Sequence, residues 1–304
     1  MSDKEKSTIL QTLTAGKSGE ELLSFLIEKK VRKSRSAVKS LLVHKQIKVN
    51  GRVISQHNYE LNVGDVVTIH KADQKHTLKQ LKGITIIYED DYFIVVEKEP
   101  GLLSVATERG RDETAYGIVN SYLKNQNKGE RAYVIHRLDR EISGLMMYVK
   151  SPEVQETMQI NGDKLILLRS YVVVVEGKVA QPEGTIVSWL TEDKNYIMHS
   201  SEKDNGGQKS VTHYKLMKGV RRFTQLYITL DTARKNQIRV HMKHIGHPVV
   251  GDKKYGASIN PIKRVALHAY ELSFRHPVTG EIIDLKSPVP KRMQMLVEPE
   301  ENKI

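Results

Sequence analysis

The stretch that most constrains the fold of this chain runs over residues 131–151, RAYVIHRLDREISGLMMYVKS. An apolar run typical of a β-strand leads into the polar residues 136–140, and a second apolar run carries the chain away. Asp139 is therefore expected on a loop between two strands, where a scaffold can hold a reactive side chain rigidly. The guanidinium groups of Arg137 and Arg140 should favour the ionised form of this carboxyl group.

An Asp between two arginines more often ties down a strand-to-loop corner by salt bridges than it performs chemistry. The string HRLDREISGL, however, resembles the signature HRLD, two variable residues, SGL of the RluA-type pseudouridine synthases. This resemblance implies that Asp139 is the essential catalytic residue. It also implies isomerisation of uridine to pseudouridine in RNA, most plausibly large-subunit (23S) ribosomal RNA.

Further segments resemble the same family in order, from about residue 84 to residue 290: EKEPGLLSV, RSYVVVVEG, TARKNQIRVHMKHIGHPVVGDKKYG and RVALHAYELSFRHPVTGE. The resemblance implies that Tyr171 stacks on the uracil, that Arg239 pairs with Asp139, and that Arg137 fills the gap left by the extruded nucleotide. Without it, Tyr171 would be interpreted as a core residue, Arg239 as a surface or phosphate-binding residue, and Arg137 equally as a structural salt-bridge partner.

The chain departs from the family pattern at four positions. Ile142 stands where Thr is usual, Arg169 where Lys is usual, Ala233 where Gly is usual, and Asn236 where His is usual. Arg169 keeps the charge and Asn236 keeps hydrogen-bonding capacity, whereas Ala233 replaces a residue often chosen for backbone freedom.

The implied reaction breaks the bond between N1 and C1′, rotates the uracil and rejoins it through C5, and it requires no cofactor. The site must supply a carboxylate against the ribose, an aromatic surface for the base and exclusion of water. The sequence does not decide whether Asp139 acts as a nucleophile or as a base.

A separate unit is expected over residues 14–72. Apolar spacing predicts two helices, over residues 20–30 and from about residue 34, followed by strands around the Asn50-Gly51 dipeptide, which favours a tight hairpin turn. The motifs KSRSAVKSLL, VNGRVI and VGDVVTI resemble the αL RNA-binding motif of ribosomal small-subunit protein S-four, which implies contact with structured RNA through phosphates and shape.

The second of these helices begins in a group of cations, although the helix macrodipole would by itself prefer anions there. A bound phosphate would explain the placement, and a solvated basic helix end is the alternative. The candidate RNA-binding residues are Arg32, Lys33, Arg35 and Lys39.

Residues 73–83 are polar and weakly patterned, which predicts a linker before a synthase domain over residues 84–304. Many β-type runs with few helices between them predict an α+β class with a mixed or antiparallel sheet, since the βαβ alternation of a doubly wound fold is missing. The family resemblance implies a long bent mixed, mostly antiparallel sheet with an RNA cleft across it.

Charge supports a polyanionic partner, because 48 Lys and Arg residues against 36 acidic ones give a net charge of +12. The N-terminus lacks the apolar segment of a secretory signal, and no apolar run approaches the roughly 18 residues of a membrane span. The chain contains no cysteine, which excludes disulfides and thiolate metal sites. We expect a cytoplasmic monomer that binds RNA, without a membrane, a metal or a small-molecule cofactor.

Three other interpretations compete with an RNA isomerase. The first is a non-catalytic RNA-binding ribosome assembly factor on a degenerate synthase scaffold. The second is a metal site at His241, His244 and His247, which is weak because no acidic residue joins them in that helix. The third is a glycosidase pair of Asp139 and Glu141, whose spacing of two does not assure convergence.

Overall fold

The computed structural model describes residues 9–32, 35–43, 46–70, 79–106 and 113–298. These residues fold into two α+β units with separate apolar cores, which confirms the predicted fold class. None of the helices in these ranges is long and apolar enough to cross a membrane.

The N-terminal unit packs two helices against a small antiparallel sheet. Its elements are β1 (Ile9–Thr14), β2 (Glu20–Glu21), α1 (Leu22–Glu28), α2 (Arg35–Val43), β3 (Ile47–Val49), β4 (Arg52–Val53), β5 (Glu60–Leu61) and β6 (Val66–His70). The four-stranded sheet has the order β1-β6-β3-β4, and β2 pairs with β5 beside it. The two helices bury their apolar faces in one core, as their residue spacing predicted.

The hairpin between β3 and β4 turns as predicted at Asn50 and Gly51. Both residues have positive φ, 50° and 82°, which is the geometry of a tight two-residue turn. The Asn50 side chain donates to Asp65 at 2.7 Å and accepts from the backbone N–H of Val66 at 2.9 Å. The two turns that carry the VNG and GD motifs therefore contact each other through the Asn50 side chain.

Within the described ranges, twelve strands form the sheet of the second unit. They are β7 (Lys79–Leu81), β8 (Ile84–Glu89), β9 (Phe93–Lys98), β10 (Tyr133–Val134), β11 (Ser143–Val149), β12 (Ile166–Glu176), β13 (Glu183–Glu192), β14 (Met198–Ser201), β15 (Gln208–Gly219), β16 (Phe223–Leu230), β17 (Leu267–Arg275) and β18 (Ile282–Lys286). The order is β14-β13-β15-β16-β12-β17-β11-β9-β8-β7, with β10 on β11 and β18 on β17. The pairing of β11 with β17 is parallel, and the other pairings are antiparallel.

Helices are few and cover the sheet from its edges and faces. They are α3 (Ala115–Gln126), α4 (Pro152–Ile160), α5 (Gly162–Leu165), α6 (Gln237–His244) and α7 (Lys291–Gln294), with 3₁₀ turns at Lys253–Tyr255 and Met295–Val297. Strand β11 lies between β9 and β17 and is buried along its whole length, with side chains in the cores on both faces of the sheet. The strand that follows Asp139 is therefore among the most rigid parts of the molecule.

Gly144 begins this strand and explains the glycine of the SGL motif. A Cβ atom there would lie 2.1 Å from the carbonyl oxygen of Ala269 on β17, and φ is +113°. Only glycine permits this close approach of two backbones. The parallel pairing that places the Asp139 loop over β17 depends on it.

Three details differ from the sequence-based expectations. Residues 79–81, placed in the linker, form the edge strand β7; residues 73–78 lie outside the described residues. Strands β1, β2, β5, β13, β14 and β18 were not predicted, and β1 begins at Ile9, before the expected start of the N-terminal unit at residue 14. The sequence of residues 235–245, which ends at Gly246 and Pro248, predicts one helix over that range, but helix α6 begins at Gln237 because Asn236 takes the left-handed conformation, with φ 54°.

Candidate active site

The loop between β10 and β11 carries Asp139 and is fastened by the loop that follows β9. Ser104 Oγ donates to the carbonyl of Leu138 at 2.5 Å and accepts from its N–H at 3.1 Å. The fully buried ammonium of Lys98 donates to three backbone carbonyls, including that of Arg140 at 3.3 Å. Burial lowers the pKa of Lys98 to about 8. The residues before and after Asp139, Leu138 and Arg140, are thus held by hydrogen bonds to Ser104 and Lys98.

Arg239 on α6 joins two carboxylates. Its Nη1 lies 2.9 Å from Asp139 Oδ2, and its Nε and Nη2 bind the two oxygens of Asp252 at 2.6 and 2.7 Å. Burial alone would lower the pKa of Arg239, but the hydrogen bonds and charges of Asp252 and Asp139 outweigh burial and raise it. The guanidinium is therefore a fixed positive charge beneath Asp139.

Asn236, at the start of α6, gives Asp139 a second contact. Its amide nitrogen donates to Asp139 Oδ2, and its amide oxygen accepts from the Tyr255 hydroxyl at 3.0 Å. The Tyr255 ring lies 5.0 Å from the Arg239 guanidinium carbon. The hydrogen bonds from Arg239 and Asn236 thus both reach the same oxygen of Asp139, Oδ2.

Tyr171 lies on β12 and is partly buried near Asp139. Burial raises the pKa of its hydroxyl, with the Arg169 guanidinium acting in the opposite direction, so the phenol is neutral near pH 7. Burial and, to a smaller extent, the charge of Arg169 lower the pKa of the His136 imidazole to about 3. The neutral His136 accepts the backbone N–H of Met147 at 3.1 Å and so anchors the HRLD segment to β11.

A cavity of about 120 Å³ opens above these side chains. The structure brings together around it all four synthase residues predicted from the sequence, Arg137, Asp139, Tyr171 and Arg239. The Asp139 side chain is 34% exposed, whereas that of Arg239 is only 7% exposed. Arg137 is exposed at the rim of this cavity. The guanidinium that pairs with Asp139 belongs to Arg239, and Arg140 instead donates to the Gly101 carbonyl.

The predicted RNA-binding cations of the N-terminal unit have different surroundings. Arg35 and Lys39 are exposed on α2. Arg32 is mostly buried and pairs with Glu281 of the synthase unit at 2.9 Å, and Gln46 also donates to Glu281. Lys33 lies outside the described residues.

The three histidines considered for a metal site each bind a different part of the protein. His241 contacts the hydroxyls of Ser188 and Thr212 at 2.9 and 2.8 Å, and burial lowers its pKa to about 4. His244 lies 3.6 Å from a carboxylate oxygen of Glu202, and His247 contacts the carbonyl of Glu176 at 2.9 Å. These contacts give each imidazole a separate structural role.

Several residues that complete the site were not singled out from the sequence, namely Lys98, Asn236 as a partner of Asp139, Asp252 and Tyr255. Each lies inside a segment that resembles the synthase family, since Lys98 belongs to EKEPGLLSV and Asp252 and Tyr255 belong to GHPVVGDKKYG. The motif segments could therefore have pointed to them, although no periodicity or charge pattern distinguishes them.

Comparison with known proteins agrees with this geometry. A family model described as RNA pseudouridylate synthase matches residues 92–244, and one described as S4 domain matches residues 22–67. The uncharacterized RNA pseudouridine synthase YjbO of Bacillus subtilis is 33% identical over 84% of this chain and 90% of its own length. The ribosomal large subunit pseudouridine synthase D of Vibrio cholerae is 30% identical over 94% of this chain and 92% of its own length.

The fold has counterparts among solved structures. The human RNA pseudouridylate synthase domain containing 4 superposes with a TM-score of 0.58, covering 69% of this chain and 90% of its own. At 18% sequence identity, this likeness concerns the fold.

Proposed function

Because the chain belongs to the RNA pseudouridylate synthase family and carries an S4 domain at its N-terminus, we propose that it converts specific uridines of large-subunit ribosomal RNA to pseudouridine, with Asp139 as the catalytic carboxylate. Relatives that match nearly the whole chain include a synthase named for the ribosomal large subunit. An appended RNA-binding domain suits a large folded substrate.

The observation that carries the proposal is the asymmetric binding of the Asp139 carboxylate. Arg239 and Asn236 both hold Oδ2, and Asp139 lines the cavity. A carboxylate fixed at one oxygen can meet the ribose with the other, either at C1′ as a nucleophile or at a sugar proton as a base. Arg239 keeps the group charged and in place in both cases.

The remaining groups fit the needs of an isomerisation that neither adds nor removes atoms. The bond between C1′ and N1 breaks, the bond between C1′ and C5 forms, and a proton leaves C5 while N1 gains one. The detached uracil must stay in the site while it rotates, and the ring of Tyr171 offers it a stacking surface. Arg137, exposed at the rim, would occupy the gap left by the extruded nucleotide.

Each of these groups comes from a single chain, so the proposal requires only a monomer. The proposed ribosomal substrate places the protein in the cytoplasm. Arg35 and Lys39 on α2 are proposed to bind RNA phosphates, and Arg32 joins the two units through Glu281.

The test is a map of pseudouridines in ribosomal RNA from a strain lacking the gene, complemented with defined variants. Asp139→Asn should leave at least one position unmodified while the purified variant keeps its RNA affinity. Glu141→Gln is the matched control, because this exposed acidic residue lies two positions away and does not line the cavity. An unchanged map in the deletion strain would instead favour an RNA-binding assembly factor.

A further inference from the structure

An exposed tyrosine stands at the tip of the loop between β13 and β14. Tyr196 is 72% exposed and has φ of +60°, a conformation that bulky side chains rarely adopt. Asp193 closes the loop, because its Oδ1 accepts the backbone N–H groups of Asn195 and Ile197 at 2.8 and 3.0 Å. Its carbonyl also accepts the N–H of Tyr196 at 3.0 Å. A strained, well-bonded turn thus holds an aromatic ring out into solvent.

Contacts between side chains and backbone connect this loop to the active site. Lys254 donates to the carbonyl of Tyr196 at 2.8 Å. The next residue, Tyr255, donates to Asn236, which in turn donates to Asp139. The backbone of Tyr196 is therefore connected, through the neighbouring residues Lys254 and Tyr255, to the residues that hold Asp139.

One lysine lies over the ring of Tyr196, and a second binds its backbone. The ammonium of Lys235, the residue before Asn236, lies 5.5 Å from the centroid of the Tyr196 ring and also pairs with Glu192. Each lysine ammonium has three N–H donors. Lys235 donates one to Glu192, and Lys254 donates one to the Tyr196 carbonyl. An exposed aromatic face with lysines beside it is an arrangement by which proteins bind unpaired nucleic acid strands.

We propose that Tyr196 is a stacking platform for an unpaired RNA base next to the isomerised uridine, with Lys235 and Lys254 facing the adjacent phosphates. This inference rests on the proposed function, because extrusion of the uridine leaves neighbouring nucleotides unpaired beside the site. The ring would contact bases without sequence preference, since every base has an aromatic face.

The test measures binding of a fluorescein-labelled 12-nucleotide oligouridylate to protein that carries Asp139→Asn, so that no turnover occurs. Tyr196→Gly removes the ring, and because glycine adopts φ +60° without strain, the fold should not be weakened. We expect the Kd to rise about 5- to 100-fold. Tyr196→Phe keeps the aromatic face and should bind within about twofold of the parent. The control is Ile160→Ala, which alters a side chain that is 73% exposed on α4 and should leave the Kd unchanged.

The salt dependence of the Kd identifies the interaction. Loss of stacking weakens binding without losing a phosphate contact, so the slope of log Kd against log salt should be the same for Tyr196→Gly and the parent. The proposal is overturned if the parent does not bind the oligomer, if Tyr196→Gly binds like Ile160→Ala, if Tyr196→Phe is as weak as Tyr196→Gly, or if the slope flattens. A protein that binds through Tyr196 yet modifies no ribosomal uridine would refute only the proposed function.

Discussion

Arg239 lies between a buried and a partly exposed carboxylate, and the two should respond very differently to substitution. The side chain of Asp252 is 0% exposed and receives two hydrogen bonds from Arg239, whose own side chain is 7% exposed. Removing one partner of such a buried pair costs about 3–5 kcal/mol, because the remaining charge stays buried. Asp252→Asn should therefore lower the free energy of unfolding by about 3 kcal/mol or more, although the amide oxygen can still accept one bond.

Asp139→Asn provides the comparison at the same guanidinium. The Asp139 side chain is 34% exposed, and its loss leaves Arg239 bound by both oxygens of Asp252. Ion pairs open to solvent contribute about 0–1 kcal/mol, so this variant should lose at most about 1 kcal/mol. Catalysis should nevertheless stop. On the proposed function, Asp252 would thus serve mainly stability, whereas Asp139 would serve the reaction.

Fluorescence provides the assay, because Trp189 on β13 is the single tryptophan of the chain and reports on the synthase unit alone. Unfolding in urea should give the free energies directly. In a thermal scan a loss of 3–5 kcal/mol corresponds to a decrease in Tm of about 6–20 °C for a unit of this size. The reasoning is refuted if Asp252→Asn unfolds within about 1 kcal/mol of the wild type, or if Asp139→Asn loses as much as Asp252→Asn.

Three further outcomes are expected. Asn236→Ala removes a hydrogen-bond donor to Asp139 and should lower the rate constant of the chemical step, measured in single-turnover assays, on the order of 10²-fold. An unchanged rate constant would show that Arg239 alone positions the carboxylate. Burial, then the charge of Arg169, lowers the pKa of His136 from 6.5 to about 3, so the stability it contributes is complete above pH 6.5 and is lost as the pH falls towards 3. The unfolding free energy should drop by about 2 kcal/mol between pH 6.5 and 5. In urea titrations of His136→Gln, the unfolding free energy should depend less steeply on pH, by the uptake of one proton on unfolding. Arg35→Ala and Lys39→Ala should each flatten the salt dependence of RNA binding by up to ~1 in log–log slope, more than Arg32→Ala does, since Arg32 pairs with Glu281. Equal slopes in filter-binding measurements of all three variants would contradict the proposed RNA surface.

Local patterns predicted the local structure well. The hairpin at Asn50 and Gly51 follows from two residues that tolerate positive φ, and the two N-terminal helices follow from their apolar spacing. Strand β7 was missed because Lys79–Leu81 has no buried residue and is ordered only by pairing with β8. Its polar sequence carries no sign of that pairing.

The site was predictable through motif resemblance and not through the chemistry of single residues. Arg239 lies 100 positions from Asp139, and no spacing rule joins residues so far apart. The arginines next to Asp139 in sequence did not identify its hydrogen-bond partner, because Arg140 donates to the Gly101 carbonyl and Arg137 lies exposed at the rim of the cavity. Likewise, the cation group of the N-terminal unit gave no indication that Arg32 meets Glu281, 249 positions away.

The departures from the family pattern also have a structural interpretation. Ala233 has negative φ, so the position usually occupied by Gly does not demand glycine here. Asn236 has φ 54°, a conformation that Asn adopts more readily than most residues, and its amide binds Asp139 and Tyr255 at opposite ends. The imidazole of a His could make both contacts in one neutral tautomer, but it would gain a second donor on protonation near pH 6.5 and lose the acceptor for Tyr255. An amide does not titrate, so in this chain the contacts that Asn236 makes with Asp139 and Tyr255 do not depend on the protonation of the side chain at position 236.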